Sequence, residues 1–210
     1  MKLISILLLC CIGFAGLAQQ PNVEDAFTDT ELKAAQTCAG ITYMNEEEKA
    51  VILIMNLARL YPQKFRDQVA MPYAKSNEMH SGKYYESLLR DLAKASPAKA
   101  LQPDLILHKE AKSHADYTGE KGKIGHDGPR GKSFNTRMKG LLKSFHGVGE
   151  NCQYGFNDAL DIVMDLLIDE GIQGYGHRKN ILNPDFSHAG VSIAPHKNYT
   201  YNCVTDFGSQ

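Results

Sequence analysis

Two histidines and two glutamates lie at chain turns, where separate segments can bring side chains into one cleft. His126 and His177 each follow glycine-rich sequence. Glu150 lies in a short apolar segment, and Glu170 lies at the end of a predicted helix. Imidazole nitrogens bind divalent metals, and nearby carboxylates can orient the rings or activate a bound water. The pattern therefore predicts a metal-binding cleft, with Glu150 and Glu170 as candidate bases.

Structural roles compete with this chemistry at all four positions. A histidine in a glycine loop can be solvated or can cap a helix, and Glu170 can be solvated at a helix end. Glu150 needs hydrogen-bond partners if it is to stay charged in a buried segment. The sequence lacks a His-Glu-x-x-His motif, a Gly-x-Ser-x-Gly elbow and a phosphate-binding glycine loop ending in Lys-Ser/Thr. The sequence also shows no spacing typical of metal ligands at five further histidines, His108, His114, His146, His188 and His196.

The sequence pattern in the first half of the chain predicts several helices, and the loop that contains His126 follows the last of them. Asn45 predicts the N-cap of a helix with three glutamates in its first turn, where the helix dipole favours acids. Pro62 either ends this helix or starts a short second one. A further helix is expected from Asp104 to a glycine stop at Gly119, followed by a glycine-rich loop at 119–131.

The second half predicts the strands that complete the fold. Its predicted elements are a strand at 148–154, a helix capped by Asn157, a glycine-rich turn at 171–176, and an antiparallel hairpin of 191–193 with 199–207. Helices precede strands in this order, which indicates the α+β class.

The chain begins with a segment typical of a secretory signal. An apolar run at 3–17 follows Met-Lys and is too short to cross a bilayer. Small residues near Ala18 place the expected cleavage after that residue. Acylation of Cys10 or Cys11 is the less favoured alternative, because neither cysteine follows a small residue. We therefore expect a secreted or periplasmic protein without a transmembrane segment.

These signals divide the chain into parts. The predicted parts are a signal peptide at 1–18, a leader at 19–44 and a folded domain at 45–210, with an inserted element at 71–103. The leader shows little periodicity and is expected to pack loosely on the domain.

The overall composition fits one globular domain and excludes a basic nucleic-acid surface. The 210 residues are 43% hydrophobic and 22% charged, which is enough apolar material for a core. Lys and Arg number 23 against 24 Asp and Glu. Because these charges nearly cancel, we expect no nucleic-acid partner.

Loss of the signal peptide would leave Cys38, Cys152 and Cys203. In an oxidising compartment, one disulfide and one free thiol is the simplest arrangement. We favour a bond between Cys152 and Cys203, because both adjoin predicted strands of one sheet. Three reduced, buried thiols are the alternative, and no Cys-x-x-Cys pair or neighbouring base marks any of the three as a nucleophile.

Five motifs follow one another in order along the chain. They are Gly125-His126, Gly149-Glu150-Asn151, the stretch from Gly176 to Phe186, Gly190-Val191, and Asp206-Phe207-Gly208. The stretch at 176–186, Gly-His-Arg-x-Asn-Ile-Leu-Asn-Pro-x-Phe, is long and specific. In this order the motifs resemble the CAP superfamily, which includes cysteine-rich secretory proteins, antigen 5 and pathogenesis-related-1 proteins and whose domain is also called SCP. The chain is most similar to the bacterial secreted branch.

The resemblance implies a three-layer α-β-α sandwich with a central antiparallel sheet. It also implies that His126, Glu150, Glu170 and His177 form a cleft tetrad in which the histidines can hold zinc or another divalent ion. Asp169 is an alternative to Glu170, since the two acids are adjacent. The motif residues expected to support the cleft are Asn151, Arg178 and Asn180.

Three functions are compatible with such a cleft. The favoured one is a module that binds an extracellular ligand, such as a lipid, sterol or envelope component, together with a weakly held divalent ion. Zinc is the leading candidate, and binding should be weak because two imidazoles fall short of the three protein ligands usual in catalytic zinc sites. The second is a metal-assisted hydrolase using Glu150 or Glu170 as base. The third is a purely structural tetrad.

Overall fold

The computed structural model describes residues 21–79 and 82–210, which form helices around one β-sheet. The α-helices are α1 (Val23–Ala26), α2 (Asp29–Ala35), α3 (Glu46–Leu60), α4 (Pro62–Phe65), α5 (Met71–Ser76), α6 (Lys83–Lys94), α7 (Leu105–Lys121), α8 (Phe134–Met138), α9 (Ala159–Ile168) and α10 (Gly176–Leu182). The strands are β1 (Gln102–Pro103), β2 (Gly147–Tyr154), β3 (His188–His196) and β4 (Thr200–Ser209). A π-helical turn, Arg66–Ala70, joins α4 to α5.

The strands form one sheet in the order β1-β3-β4-β2. The predicted hairpin is present as β3 and β4, and β2 pairs antiparallel with β4 on its other side. The two-residue edge strand β1 runs parallel to β3, so the sheet is antiparallel except at this edge. In this register Glu150 lies opposite Asp206, and Asp206 lies opposite Gly190.

Helices cover both faces of the sheet. On one face, Ala111 and Ala115 of α7 pack against Cys152 and Val204. On the other face, strand residues such as Val191 belong to the main core, which α3 and α9 also line. The predicted α+β class and the three-layer sandwich are therefore confirmed.

Capping residues in the sequence determine where several helices begin. Asn45 and Glu48 form a capping box in which each side chain accepts a backbone N–H of the other residue, both at 2.9 Å. The helix expected from Asp104 is α7, and the Asp104 side chain caps it by accepting the backbone N–H groups of Ile106 and Leu107. The cap of α9 is Asp158 rather than Asn157, because the Asp158 carboxylate accepts two backbone N–H groups of the first turn.

Two glycines allow α7 to lie directly against β3. The helix does not stop at Gly119, as the sequence suggested, but ends at Gly122 in the left-handed conformation (φ 64). A Cβ atom at Gly119 would lie 2.1 Å from Pro195 O, and one at Gly190 would lie 2.0 Å from His108 N. These positions are crossing points of helix and strand backbones, so only glycine fits them.

The segment before α3 is packed more tightly than we expected of a leader. Phe27, Ala35 and Cys38 are all buried and belong to the main core. Residues 71–103, predicted as an insertion, contain α5, α6 and β1, and Leu88 and Leu92 of α6 are fully buried. Both segments therefore contribute apolar side chains to the domain.

A buried arginine of α3, Arg59, links this helix to the segment before β1 and to the chain between the end of α10 and β3. Arg59 is 1% exposed, and its guanidinium donates to the carbonyl oxygens of Lys99, Ile181, Asn183 and Phe186. Burial lowers the pKa of Arg59 to about 10, so the group stays protonated at neutral pH. Arg59 thereby satisfies backbone oxygens that would otherwise be buried without donors.

The predicted disulfide between Cys152 and Cys203 is wrong. Cys38, Cys152 and Cys203 are all free and buried. In the register of β2 and β4, Cys152 lies opposite Val204, while Cys203 lies opposite Gln153. Because neighbouring positions on a strand point to opposite faces, the two sulfur atoms are on different sides of the sheet.

The predicted signal peptide at 1–18, its cleavage after Ala18 and the alternative acylation at Cys10 or Cys11 lie outside the described residues. In residues 21–79 and 82–210, none of the helices combines the length and apolar character needed to span a membrane.

We expect Gly190→Ala to lower the free energy of unfolding by about 3 kcal/mol, because the new methyl group would meet the α7 backbone rather than a flexible side chain. Gly140→Ala is the matched control, since a Cβ atom there meets nothing within 4 Å. Urea unfolding followed by circular dichroism measures both variants. Equal effects of the two substitutions would show that the close approach is unimportant.

Candidate functional site

A cavity of about 370 Å³ opens between the loop after α7, strand β2 and the connection from α9 to α10. Three of the four predicted tetrad residues line it: His126, Glu170 and His177. The fourth, Glu150, is buried and contacts His126 from behind. Other polar side chains in the lining are Cys152, Gln153, Tyr154, Asp165 and Asp169.

The loop that carries His126 is fixed through the preceding glycine. Gly125 adopts a left-handed conformation (φ 87). Its N–H donates to Tyr154 Oη at 2.8 Å, and its carbonyl oxygen lies 2.8 Å from His114 Nε2. These contacts hold Gly125 between β2 and α7, so the position of His126 does not depend on the loop alone.

His126 is oriented by a buried carboxylate. Its Nδ1 lies 2.9 Å from Glu150 Oε1, and a carboxylate only accepts, so Nδ1 carries the proton. The other ring nitrogen, Nε2, then has the free lone pair. The His126 side chain is 44% exposed, so this nitrogen is available to a ligand.

Glu150 keeps its negative charge because two hydrogen-bond donors face its carboxylate, the Nδ1–H group of His126 and the guanidinium of Arg137. Arg137 of α8 donates to both carboxylate oxygens, at 3.0 and 2.7 Å. Burial alone would raise the pKa of Glu150, but hydrogen bonds from His126 and Arg137 lower it to about 2. Arg137 also donates to the His126 carbonyl oxygen at 2.7 Å and to Glu110 Oε1 at 3.2 Å. Sequence reasoning missed Arg137 and Glu110, which have no motif of their own.

The acid beside the second histidine is Asp169, not Glu170. Asp169 Oδ1 accepts from His177 Nδ1 at 2.8 Å, and Oδ2 accepts the backbone N–H groups of His177 and Arg178 at 3.0 and 3.3 Å. Asp169 ends α9 in the left-handed conformation (φ 60), which turns its carboxylate toward the start of α10. Glu170 is exposed and lines the cavity without contacting either imidazole among the described residues.

Three motif residues connect the elements around the cavity. Asn151 donates to the His177 carbonyl oxygen at 3.0 Å, and Asn180 donates to Asn151 Oδ1 at 2.8 Å. These amides join β2 to α10. Arg178 is buried and donates to the carbonyl oxygens of Leu167, Ile168 and Tyr84, to Ser87 Oγ and to Asp91 Oδ2. It thereby satisfies the last carbonyls of α9, so these residues position the site rather than line it.

A buried group behind His126 could hold a metal ion. One ligand atom each of His114, Glu150 and Cys152 lies within 4.8 Å of the others. The sequence shows no ligand spacing at His114, which lies on the buried face of α7 next to Ala115. The available signal for this group is a histidine at helical spacing on the buried face of α7.

The charge states of this buried group follow from its surroundings. Burial lowers the pKa of His114, which favours the neutral imidazole. Burial and then the Glu150 carboxylate raise the pKa of the Cys152 thiol well above its ordinary value. Asp206, opposite Glu150 on β4, has no hydrogen-bond donor for either oxygen among the described residues, and burial raises its pKa well above the usual range. Cys152 is therefore a thiol rather than a nucleophilic thiolate at neutral pH.

The profile of CAP, the cysteine-rich secretory protein family, matches residues 55–207 of the chain. YkwD of Bacillus subtilis (strain 168) is 36% identical over 93 residues, which are 44% of this chain and 34% of that protein. The chain therefore spans about a third of the length of this curated relative.

Three solved structures are similar over 60% of this chain. An extracellular protein with an SCP domain from Bacillus anthracis str. Ames has a TM-score of 0.43 and 21% identity, with 40% of that chain covered. An outer surface protein of Borrelia burgdorferi has a TM-score of 0.45 and 23% identity, with 89% covered. A cysteine-rich secretory protein of Staphylococcus aureus has a TM-score of 0.39 and 16% identity, with 37% covered.

We expect Glu150→Gln to lower the free energy of unfolding at pH 7 by about 3 kcal/mol, because Arg137 loses its buried counter-charge. The pKa of Glu150 in the folded protein, about 2, lies below its ordinary value of 4.5. Its ionised form therefore stabilises the fold above pH 4.5, and this contribution is lost as the pH falls toward 2.

The difference between Glu150→Gln and the unmodified protein should consequently shrink as the pH is lowered. Urea unfolding at a series of pH values measures it. Glu120→Gln is the control, because Glu120 is exposed and pairs with Lys121 on the surface. A difference that stays constant down to pH 3 would contradict the assignment of Glu150 as a buried charge.

Proposed function

The chain belongs to the cysteine-rich secretory protein (CAP) family, and on that basis we propose that it is a secreted or periplasmic binding module. Its cleft would hold a divalent metal ion together with an extracellular ligand. The observation that carries the proposal is the paired arrangement of His126 and His177. Each Nδ1 atom is held by a buried carboxylate, and both rings line one cavity.

The donor set fits a divalent ion. Histidines that bind metals usually donate their second ring N–H to a carboxylate or carbonyl, which is the arrangement at both His126 and His177. Their Nε2 atoms would hold the ion. Two imidazoles give only two protein ligands, so affinity should be modest and water or a ligand group would complete the coordination. Zn²⁺ is the leading candidate. When bound, it would polarise or coordinate an anionic or carbonyl group of the ligand.

The surroundings of the histidines favour an amphiphilic ligand. Ile124 and Ile172, which both line the cavity, are 61% and 41% exposed. Exposed isoleucine side chains beside polar imidazoles and carboxylates offer contacts for both an apolar chain and a polar group. These features support the proposal of a lipid, a sterol or another envelope component as ligand.

The site gives no support for covalent catalysis. Cys152 lines the cavity, but burial and the Glu150 carboxylate keep its thiol protonated. Glu150 is also a poor general base, because Arg137 and His126 occupy its oxygens and its pKa is about 2. These contacts favour binding as the function.

Metal-assisted hydrolysis is the second candidate function. Glu170 is exposed in the same cavity as both histidines, so a water held by the ion could lie within its reach. Glu170 would then be the base, and Glu150 would only orient His126.

We expect isothermal titration with ZnCl₂ to show a site in the cleft that His177→Ala abolishes, because this substitution removes one of two imidazole ligands. His146→Ala is the matched control, since His146 is exposed and lies outside the cavity. It should bind zinc as the unmodified protein does. Unchanged zinc binding in His177→Ala, with a loss of folding stability alone, would favour a purely structural role for the histidines.

The hydrolase alternative has a separate test. If Glu170 acts as base, turnover of a peptide, lipid or glycan substrate with zinc present should fall at least about a hundredfold in Glu170→Gln. The variant should bind zinc and fold normally, because Glu170 contacts neither imidazole. Absence of turnover across such substrate panels with zinc, magnesium and calcium would exclude this candidate and leave binding as the function.

A further inference from the structure

The segment at 128–149 is basic, whereas the rest of the chain is acidic. It contains five Lys and Arg residues and no Asp or Glu, while the rest of the chain has 18 Lys and Arg against 24 Asp and Glu. One of the five, Arg137, is neutralised inside the protein, because it pairs with Glu150 and Glu110. The other four are exposed and form no ion pair within the described parts of the chain: Arg130, Lys132, Lys139 and Lys143.

Exposed apolar side chains lie next to these cations. Ile106 is 50% exposed, and Leu142 is 52% exposed. They lie close together, because a crevice of about 330 Å³ is lined by Ile106 on α7 and by Gly140 and Leu141, the residues that precede Leu142. Lys109 also lines this crevice and follows Ile106 by three positions, so both side chains are on one face of α7. Apolar and cationic side chains are therefore interspersed on one surface.

Contacts inside the protein hold the basic segment against α7. Arg137 donates to Glu110 Oε1 at 3.2 Å, which joins α8 to α7. Ile106 and Leu142 are not part of the buried cluster beneath the segment, so the packing of this cluster does not explain why they are apolar. The buried side chains of the cluster are Leu107, Met138, Leu141 and Phe145.

We propose that a surface made of Ile106, Lys109, Lys139, Leu142 and Lys143, the basic face, binds a lipid bilayer that contains anionic phospholipids. Lysine ammonium groups attract anionic headgroups, and their long alkyl stems let them reach the headgroup level. The isoleucine and leucine beside them can enter the boundary between headgroups and acyl chains. A soluble polyanion would use only the lysines, so the combination favours a membrane. The cleft histidines take no part, and the proposal does not rest on the proposed function.

Co-sedimentation with lipid vesicles tests the proposal. Residues 19–210 are used, so that the apolar run at 3–17 cannot itself enter the bilayer, and all described helices and strands lie within this range. We expect binding to vesicles of phosphatidylcholine and phosphatidylglycerol, mixed at roughly seven to three, and at least about tenfold weaker binding to phosphatidylcholine alone. Binding should also weaken as NaCl is added, because salt screens the attraction. Equal binding to both vesicles, or binding to neither, would overturn the proposal.

Charge reversal tests whether the basic face makes the contact. Lys139→Glu combined with Lys143→Glu should weaken binding to the anionic vesicles at least about tenfold, because each lysine near such a surface strengthens binding about fivefold. Lys75→Glu combined with Lys94→Glu is the matched control. It changes the net charge equally, at exposed positions of α5 and α6, and should change binding less than about twofold. An equal loss in both pairs would reveal an effect of net charge and contradict the assignment to this face.

Two further variants separate a bilayer from other partners and from the cleft. Leu142→Ser should weaken vesicle binding about fivefold, because the leucine side chain no longer enters the bilayer boundary. Unchanged binding would indicate a purely electrostatic surface for a polyanion and overturn the membrane assignment. His177→Ala should bind the vesicles as the unmodified protein does, whether or not the cleft holds zinc. Loss of vesicle binding in His177→Ala, with the fold intact by circular dichroism, would place the contact at the cleft instead.

Discussion

The arrangement of the cleft depends on one buried negative charge, the ionised carboxylate of Glu150. A buried carboxylate is unfavourable unless donors surround it, so its partners are constrained as strictly as the acid itself. Arg137 faces both oxygens and also reaches the His126 carbonyl and Glu110. This single guanidinium therefore joins α7, the histidine loop, α8 and β2. Displacement of any one of these elements would leave a buried charge without its partner.

The part of the cleft that carries His177 is held in place by hydrogen bonds between buried polar side chains and the backbone. Asp169 accepts the first N–H groups of α10, while Arg178 donates to the last carbonyls of α9. Arg59 donates to carbonyls after α10. The turn at 171–175 is thus fixed at both ends although it has no regular structure of its own. The long motif at 176–186 is explained by these contacts, since it supplies both the histidine and the groups that orient it.

Local signals in the sequence predicted the α+β class and several helix starts, and the family resemblance implied the three-layer sandwich. Long-range contacts limited what the sequence could say of the site. Asn45 and Asp104 cap their helices through their own side chains, so the helix starts could be predicted. The disulfide prediction failed because the register of β2 and β4, which places Cys152 and Cys203 on opposite faces, is not readable from spacing. A single left-handed residue decides between Asp169 and Glu170. His114 comes close to Glu150 only through the packing of α7 on the sheet.

The carboxylate behind each imidazole has a thermodynamic consequence for molecules that enter the cleft. Glu150 and Asp169 fix the rotamers of His126 and His177 before any ligand arrives. Immobilising a free side chain on association costs about 0.5–1.5 kcal/mol, and here that entropy is already lost during folding. A small ligand with few contacts can therefore associate measurably, and its residence time will depend on the groups it brings rather than on reorganisation of the protein.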